Sequence, residues 1–440
     1  FRSLNDFVRG KWRLLADGEP VAAGEIKLDG ANDAALDVGP GESKDFQLVP
    51  DKALSAAARE YVLDMRFVLA DATPWAEAGH ELAWEQFVLP AKHDAKLAAG
   101  AAERAAGFPA AVKNADDLPL SVDDNKERVV VAGRDFSVTV DRASGRIGSY
   151  KWRGMELLDA PAAPDFWRAH TDNDDGNHLA DKSAVWRDAG RDWRVSEVKV
   201  NADGLKKLPK TVTIAASGKL PAVGDAPYTA TYTVSPSGEI AVDVRYQATE
   251  PEKGSGKGSR KEQKVPLLPR FGMLWTLAGQ LDQVTWYGRG PEPSYSDRRE
   301  VPLGVFSGAV ADQYVSYSRP QENTNWVDVR WVAVTSTSGT GLLATMMPPA
   351  DDAKSDGALA RDGLSVGVSR VSKAQMADAE YDFQLQPENR TYLNLDGAQM
   401  GVGGNDSWGA LPMDDYLLRN RDYHYRYTIR GIDQPPVIVK

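Results

Sequence analysis

Three stretches hold the residues whose types and spacing could do chemistry. The first is Asp165-Phe166-Trp167-Arg168-Ala169-His170-Thr171-Asp172-Asn173-Asp174, continued by Asp175-Gly176-Asn177-His178. The second runs Trp286-Tyr287-Gly288-Arg289-Gly290-Pro291-Glu292, then Tyr295-Ser296-Asp297-Arg298, and on through Pro320-Gln321-Glu322-Asn323-Thr324-Asn325-Trp326. The third is Gly401-Val402-Gly403-Gly404-Asn405-Asp406-Ser407-Trp408-Gly409. Each sets aromatic rings beside carboxylates, amides and glycines. A pyranose presents an apolar face of C–H groups and an equator of hydroxyls, so a carbohydrate site combines an aromatic plate with short amide and carboxylate acceptors. The first stretch, polar after an aromatic pair, reads as a loop. In the third, closely spaced glycines make a loop that presents one large ring, and Trp408 is the best single candidate for a sugar plate. The competing reading is that the 12 tryptophans of this 440-residue chain fill a β-sandwich core, and any single Trp favours it.

Other chemistries find little support. His80-Glu81 begins like a zinc-protease helix, but Trp84 stands where the second zinc ligand belongs. Gly339-Thr340-Gly341 with Ala344 loosely fits a dinucleotide turn, yet Val332 and Val334 before it and Leu342 and Leu343 after it read as two strands of a hairpin. There is neither a phosphate-cradling loop nor a nucleophile elbow. Five histidines leave little room for His-based catalysis, and with no cysteine there is no disulfide, thiolate nucleophile or thiolate-held metal. The net charge of −11 has the wrong sign for nucleic acid or an anionic membrane surface. No stretch approaches the ~18 consecutive apolar residues of a membrane-spanning helix.

The elements that must position these stretches read as strands. Tyr228, Ala230, Tyr232 and Val234 alternate with small polar residues, Ser235-Pro236-Ser237-Gly238 supplies a turn, and Ile240, Val242, Val244 and Tyr246 alternate again. Phe136 to Val140 with the turn Asp141 to Gly145 repeats this grammar, as does Tyr423 to Ile429. Residues 1–90 hold about seven such strands, including Lys11 to Ala16, Lys44 to Leu48, Tyr61 to Leu69 and Trp84 to Leu89, which is the rhythm of one sandwich domain. Residues 91–126, rich in Ala, Lys and Asp, read as a linker with a short helix over Ala95 to Ala106 that Asp94 could cap. Residues 127–440 read as a second, larger β-sandwich, in which Glu250 to Lys264 is a polar surface loop. The fold class expected is therefore all-β.

The three stretches, in this order, resemble the C-terminal part of glycoside hydrolase family 2 β-galactosidases of the large bacterial type. The family pattern is similar to Phe-Trp-Arg-Ala-x-x-Asp-Asn-Asp, then Trp-Tyr-Gly-x-Gly-Pro-x-Glu with a following Tyr-x-Asp-Arg, then Pro-x-Glu-Asn, then Gly-Val-Gly-Gly-Asp-Asp-Ser-Trp. Phe7, Trp12-Arg13-Leu14-Leu15 with Asp17-Gly18, Thr73-Pro74-Trp75-Ala76, Gly79-His80-Glu81 and Trp84-Glu85-Gln86-Phe87 resemble that family's fourth domain. His170 stands where Pro is usual, Thr324 where Gly is usual and Asn405 where Asp is usual.

The resemblance implies an immunoglobulin-like β-sandwich over residues 1–90 and a large galactose-mutarotase-like supersandwich over 127–440. It implies a retaining hydrolysis of terminal β-D-galactosides whose acid/base and nucleophile glutamates lie upstream on a missing barrel, so that this portion holds no catalytic residue and is inert alone. Trp408, Asp406 and Asn405 would bind substrate; Asp172, Asn173, Asp174 and Gly176 would form a mobile pocket-edge loop with Gly176 as hinge; Glu322 and Asn323 are secondary candidates. No metal or cofactor is implied for this portion, with Mg or Na left to the parent enzyme. The partners implied are a β-galactoside and the missing N-terminal and barrel domains, with a homo-oligomer left open and no nucleic acid or membrane. The compartment, cytoplasmic or periplasmic in a bacterium, is not fixed. The alternative is a free-standing carbohydrate-binding or aldose-epimerase-like module.

Overall fold

The computed structural model describes residues 3–26, 36, 38–45, 60–89, 119–205, 208–249, 265–348, 363–406 and 408–434. The described regular structure is overwhelmingly antiparallel strand, in two compact units, one built on residues 1–110 and the other on most of 111–435. The first unit shows one sheet, in spatial order Glu19–Glu25, Val8–Ala16, Tyr61–Leu69 and Glu81–Leu89. Val8, Ile26 and Leu36 form its buried centre, with Trp12, Met65 and Phe67 packed against them. Asp64 is buried beneath Arg13 and Arg66 at 2.6 and 3.0 Å, which compensates its charge. Of the seven strands expected here, the one over Lys44 to Leu48 falls largely outside the described residues, as do the helix at Ala95 to Ala106 and the loop from Glu250 to Lys264.

Three sheets build the second unit. The largest has nine strands, in order Arg194–Leu205, Leu208–Leu220, Ala226–Val234, Ile240–Tyr246, Tyr423–Ile432, Gly341–Met346, Trp331–Thr335, Gln283–Arg289 and Leu303–Ala309. A five-stranded sheet runs Leu158–Asp165, Arg270–Ala278, Arg390–Gln399, Leu364–Ser369, Asn325–Val329. Another runs Ser121–Asp124, Arg128–Ala132, Phe136–Asp141, Ile147–Trp152, Met155–Glu156. Ser121–Asp124 lies inside the stretch expected as linker. Its apolar content is only Val122 and the flanking Leu120, too short an alternation to register. The turn after it is fixed by Asn125, whose side-chain oxygen accepts from the amides of Glu127 and Arg128 at 3.0 and 3.1 Å.

The expected hairpin is present with Tyr228 opposite Tyr246, and along Ala226–Val234 buried residues alternate with less buried ones. The Val332/Leu343 region is likewise a hairpin, with Val334 opposite Leu342. Period-2 alternation puts Tyr423, Tyr425 and Tyr427 on one buried face, where Tyr427 accepts a hydrogen bond from Trp275 Nε1 at 3.0 Å and Tyr425 donates to the Leu395 carbonyl at 2.9 Å. These bonds join the nine-stranded sheet to the first five-stranded sheet across one continuous core. Trp167, Trp186, Trp193, Trp275, Trp286, Trp326 and Trp331 are buried, so core filling accounts for most of the tryptophan. Trp286 and Trp326 stack at 3.7 Å between centroids, which removes both from any sugar-plate role.

Candidate functional site

The first stretch leaves the strand Leu158–Asp165 and, contrary to the loop expectation, turns into a short helix, Asp172–Gly176. Thr171 and Asp174 make a reciprocal capping box: the Thr171 hydroxyl accepts from the Asp174 amide at 3.1 Å, and the Asp174 carboxylate accepts from the Thr171 amide at 3.1 Å. Asp174 also takes Arg168 bidentately at 2.9 and 2.8 Å, with both side chains buried. The same guanidinium donates to the carbonyls of Met400 and Gly401 at 2.6 and 3.0 Å. Burial works against the Arg168 charge, but Asp174 overcomes it and holds the guanidinium above its ordinary value. Asp174 is therefore a structural anion rather than an open acceptor on the pocket edge. Gly176 ends the helix, and the left-handed residue of this segment is His178, at φ 60°.

The second and third stretches meet through Asp297. Its two carboxylate oxygens accept from the amides of Val402 and Gly403 at 3.0 and 2.8 Å. A Cβ on Gly401 would stand 2.5 Å from Asp297 Oδ2, so this close approach requires glycine. Asn173 donates to the Val402 carbonyl at 2.8 Å, and Asp172 and Gln321 exchange two hydrogen bonds of 3.2 Å. At the far end of the loop, Gly409 approaches so near the first helix that a Cβ there would lie 3.0 Å from the Gly176 carbonyl oxygen.

The three stretches thereby surround one cleft of about 220 Å³, lined by Thr171, Asp172, Asn173, Tyr295, Arg298, Tyr317, Gln321, Glu322 and Val402. Carboxylates, amides, phenols and a guanidinium share it, an acceptor and donor set suited to hydroxyl groups. Tyr295 is buried, and its hydroxyl has no hydrogen-bond partner among the described residues. Burial, reinforced by the Glu322 carboxylate, holds that phenol well above its ordinary value, so it stays protonated as a donor. Glu322 accepts from Arg270 at 3.0 Å. Asn323 is buried and shapes a turn, donating to the Gln321 carbonyl at 2.8 Å.

Trp408 lies on the third loop but not in the cleft lining. It is 88% exposed, while the Asp406 carboxylate accepts from the amides of Trp408 and Ala410 at 2.9 and 3.3 Å and fixes the turn that presents the ring. Asn405 is exposed beside it. Sequence reasoning had not singled out Arg168, Tyr295, Asp297, Arg298, Tyr317 or Gln321. For Asp297 a signal existed: a lone carboxylate in Tyr-x-Asp-Arg and a distant glycine-rich run with free amides are complementary. Arg168 gave none, because its partners are backbone carbonyls and a residue already read as pocket edge.

Under this region lies an ionic network at the ends of three adjacent strands. Arg270 reaches Glu322 and Gln399 at 3.0 and 3.1 Å, and its Nε lies 3.0 Å from Asp396 without hydrogen-bond geometry. Lys373 pairs with Asp165 and donates to the Trp167 carbonyl at 3.0 Å, and Asn394 donates to Asp165 at 2.6 Å. Burial raises the Asp165 carboxyl, but Lys373 and Arg270 more than offset this and hold it below its ordinary value. For Asp396 burial wins over Arg270, and the carboxyl is pushed up to about 7. Among the described residues no group of three or more His, Cys, Asp or Glu could hold a metal ion.

Residues 132–429 match the family model described as beta galactosidase small chain, and residues 1–90 match that of beta-galactosidase, domain 4. A beta-galactosidase of Priestia megaterium (strain DSM 319 / IMG 1521) is 32% identical over 437 residues, covering 98% of this chain and 37% of that protein. A beta-galactosidase of Streptococcus thermophilus is 27% identical over 423 residues, covering 96% of this chain and 36% of that protein. The chain therefore spans little more than a third of the length of these relatives. Among solved structures, galactose 1-epimerase from Lactobacillus acidophilus NCFM aligns at a TM-score of 0.39 with 7% identity, over 72% of this chain and 99% of that one.

Proposed function

Because the chain belongs to the beta-galactosidase small chain family, we propose that it is the C-terminal, non-barrel part of a retaining β-galactosidase of glycoside hydrolase family 2, acting on terminal β-D-galactosides. The observation that carries this reading is the convergence of three distant stretches on one polar cleft, with an exposed indole presented by the same loop that contributes Val402. Retention requires two carboxyl groups about 5 Å apart, one protonating the leaving oxygen and one attacking the anomeric carbon. In the proposed arrangement those groups belong to the barrel. This part supplies hydroxyl acceptors such as Asp172 and Glu322, donors such as Asn173 and Arg298, and Trp408 as a wall at the pocket mouth that stacks on the sugar or its aglycone. The barrel and N-terminal domains are its partners.

The test is Trp408→Ala in the parent enzyme, assayed with a nitrophenyl β-D-galactoside. A rise in KM is expected, from loss of an aromatic stacking contact worth about 1 kcal/mol, or roughly fivefold. An unchanged KM removes the role of Trp408. The 440-residue chain alone should release no nitrophenol, and unaided cleavage would overturn the division of labour.

A further inference from the structure

A second cavity opens over the ionic network, distinct from the cleft, and Glu322 is the residue common to the two linings. We propose that this cavity binds a neutral, polyhydroxylated ligand of monosaccharide size. Its volume is about 170 Å³, room for one small ring. Leu274, Val368 and Met376 give it apolar walls, while Arg270, Lys373 and Asn394 bring polar groups to the same space. That combination of apolar surface with convergent donors and acceptors matches the C–H face and hydroxyl rim of a sugar or polyol.

Charge and hydrogen bonding select among ligand classes. The two cations at this cavity are already paired, Lys373 with Asp165 and Arg270 with Glu322, and Glu322 itself lines the cavity, so an anion would meet a carboxylate rather than a free positive site. A purely apolar ligand would leave the polar groups unanswered. Arg270 is 2% exposed, yet its Nε has no hydrogen-bond partner among the described residues, and its Nη1 stands 3.6 Å from Asp165, beyond hydrogen-bond reach. Asn394 gives its amide protons to Asp165 and Asp396 at 2.6 and 3.4 Å, which leaves its side-chain oxygen as an acceptor. A ligand hydroxyl can both accept from a guanidinium and donate to an amide oxygen; neither a carboxylate nor an alkyl group can do both. Thr324, at the cavity wall, holds a left-handed backbone at φ 61°, a conformation that a β-branched residue adopts only when its surroundings impose it.

The experiment titrates the 440-residue chain with D-galactose and D-glucose, with inorganic phosphate as the anionic probe, followed by calorimetry and by the methyl resonances of 13C-labelled methionine. Ala374 is exposed at this cavity's edge, so Ala374→Trp narrows the cavity without disturbing the core. Arg298→Ala alters the cleft instead. The expected result is millimolar binding of at least one sugar with a shift of the Met376 methyl, an affinity read from that methyl weakened about tenfold or more by Ala374→Trp and unchanged by Arg298→Ala, and no binding of phosphate. Three results overturn the proposal: no sugar binding, a Met376 methyl that stays still at saturation, or binding abolished by Arg298→Ala and untouched by Ala374→Trp. The last would place the sugar in the cleft alone and leave the functional reading above intact. If Ala374→Trp fails to fold, the Met376 shift in the unsubstituted chain decides.

Discussion

Arg168 and Asp174 are joined by two parallel hydrogen bonds of 2.9 and 2.8 Å in a fully buried pair, and the same guanidinium holds two carbonyls of the glycine-rich loop. The short helix and the loop are thus set against each other by one side chain. Arg168→Ala leaves the Asp174 charge buried without its partner, so chemical denaturation of the variant should show a loss of about 3–5 kcal/mol. A loss below about 1 kcal/mol would mean that water replaces the guanidinium without strain.

Asp297 and Gly401 make a second prediction. A methyl group at 401 would collide with the carboxylate that binds the Val402 and Gly403 amides. Gly401→Ala should cost about 1–3 kcal/mol and speed hydrogen exchange at those two amides. Exchange as slow as in the parent chain would show that Asp297 can shift without releasing them.

Trp408 and Trp275 bracket the roles of tryptophan. Trp408 is 88% exposed and Trp275 fully buried. Trp408→Ala should change folding stability by no more than about 0.5 kcal/mol, whereas Trp275→Ala should cost about 3–5 kcal/mol through the cavity it leaves and the lost bond to Tyr427. A large stability effect at 408 would mean that the ring is packed rather than presented.

The Asp396 carboxyl, pushed up to about 7, gives a pH dependence with a defined sign. Between the ordinary carboxylate range and about pH 7 the folded protein keeps a proton that the unfolded chain gives up. Raising the pH through this window therefore favours unfolding, by at most about 1.4 kcal/mol per pH unit. Asp396→Asn removes the effect. Its stability relative to the parent chain should climb as pH rises from about 4 to about 7 and level off above that. Urea midpoints across this range check it, and a difference that does not vary with pH would mean that Asp396 is ionised throughout.

The strands were legible because burial on one face of a sheet imposes a period of two on the residues, as in the Tyr228/Tyr246 hairpin and the run Tyr423, Tyr425 and Tyr427. The helix at Asp172–Gly176 was not. It is a single capped turn without an apolar side chain, and its Asp-rich composition fits a polar loop equally well. The strand Ser121–Asp124 escaped for a related reason: two apolar residues cannot display a period.

For the candidate site, the residue types around one sugar-sized space could be listed from the chain, because aromatic rings, short amides and glycines are local signals. Which of them face that space could not. Asp174 and Asp172 are two residues apart, yet one is buried against Arg168 while the other lines the cleft. Trp326 is stacked in the core and Trp408 stands in solvent, although both follow similar polar runs. Composition and alternation determined an all-β chain with three chemically rich loops. Their convergence was decided only in three dimensions, because contacts such as Arg168 to Met400 and Asp297 to Gly403 join residues more than a hundred positions apart. Pairings of that kind depend on strand order and register, which short-range patterns do not encode.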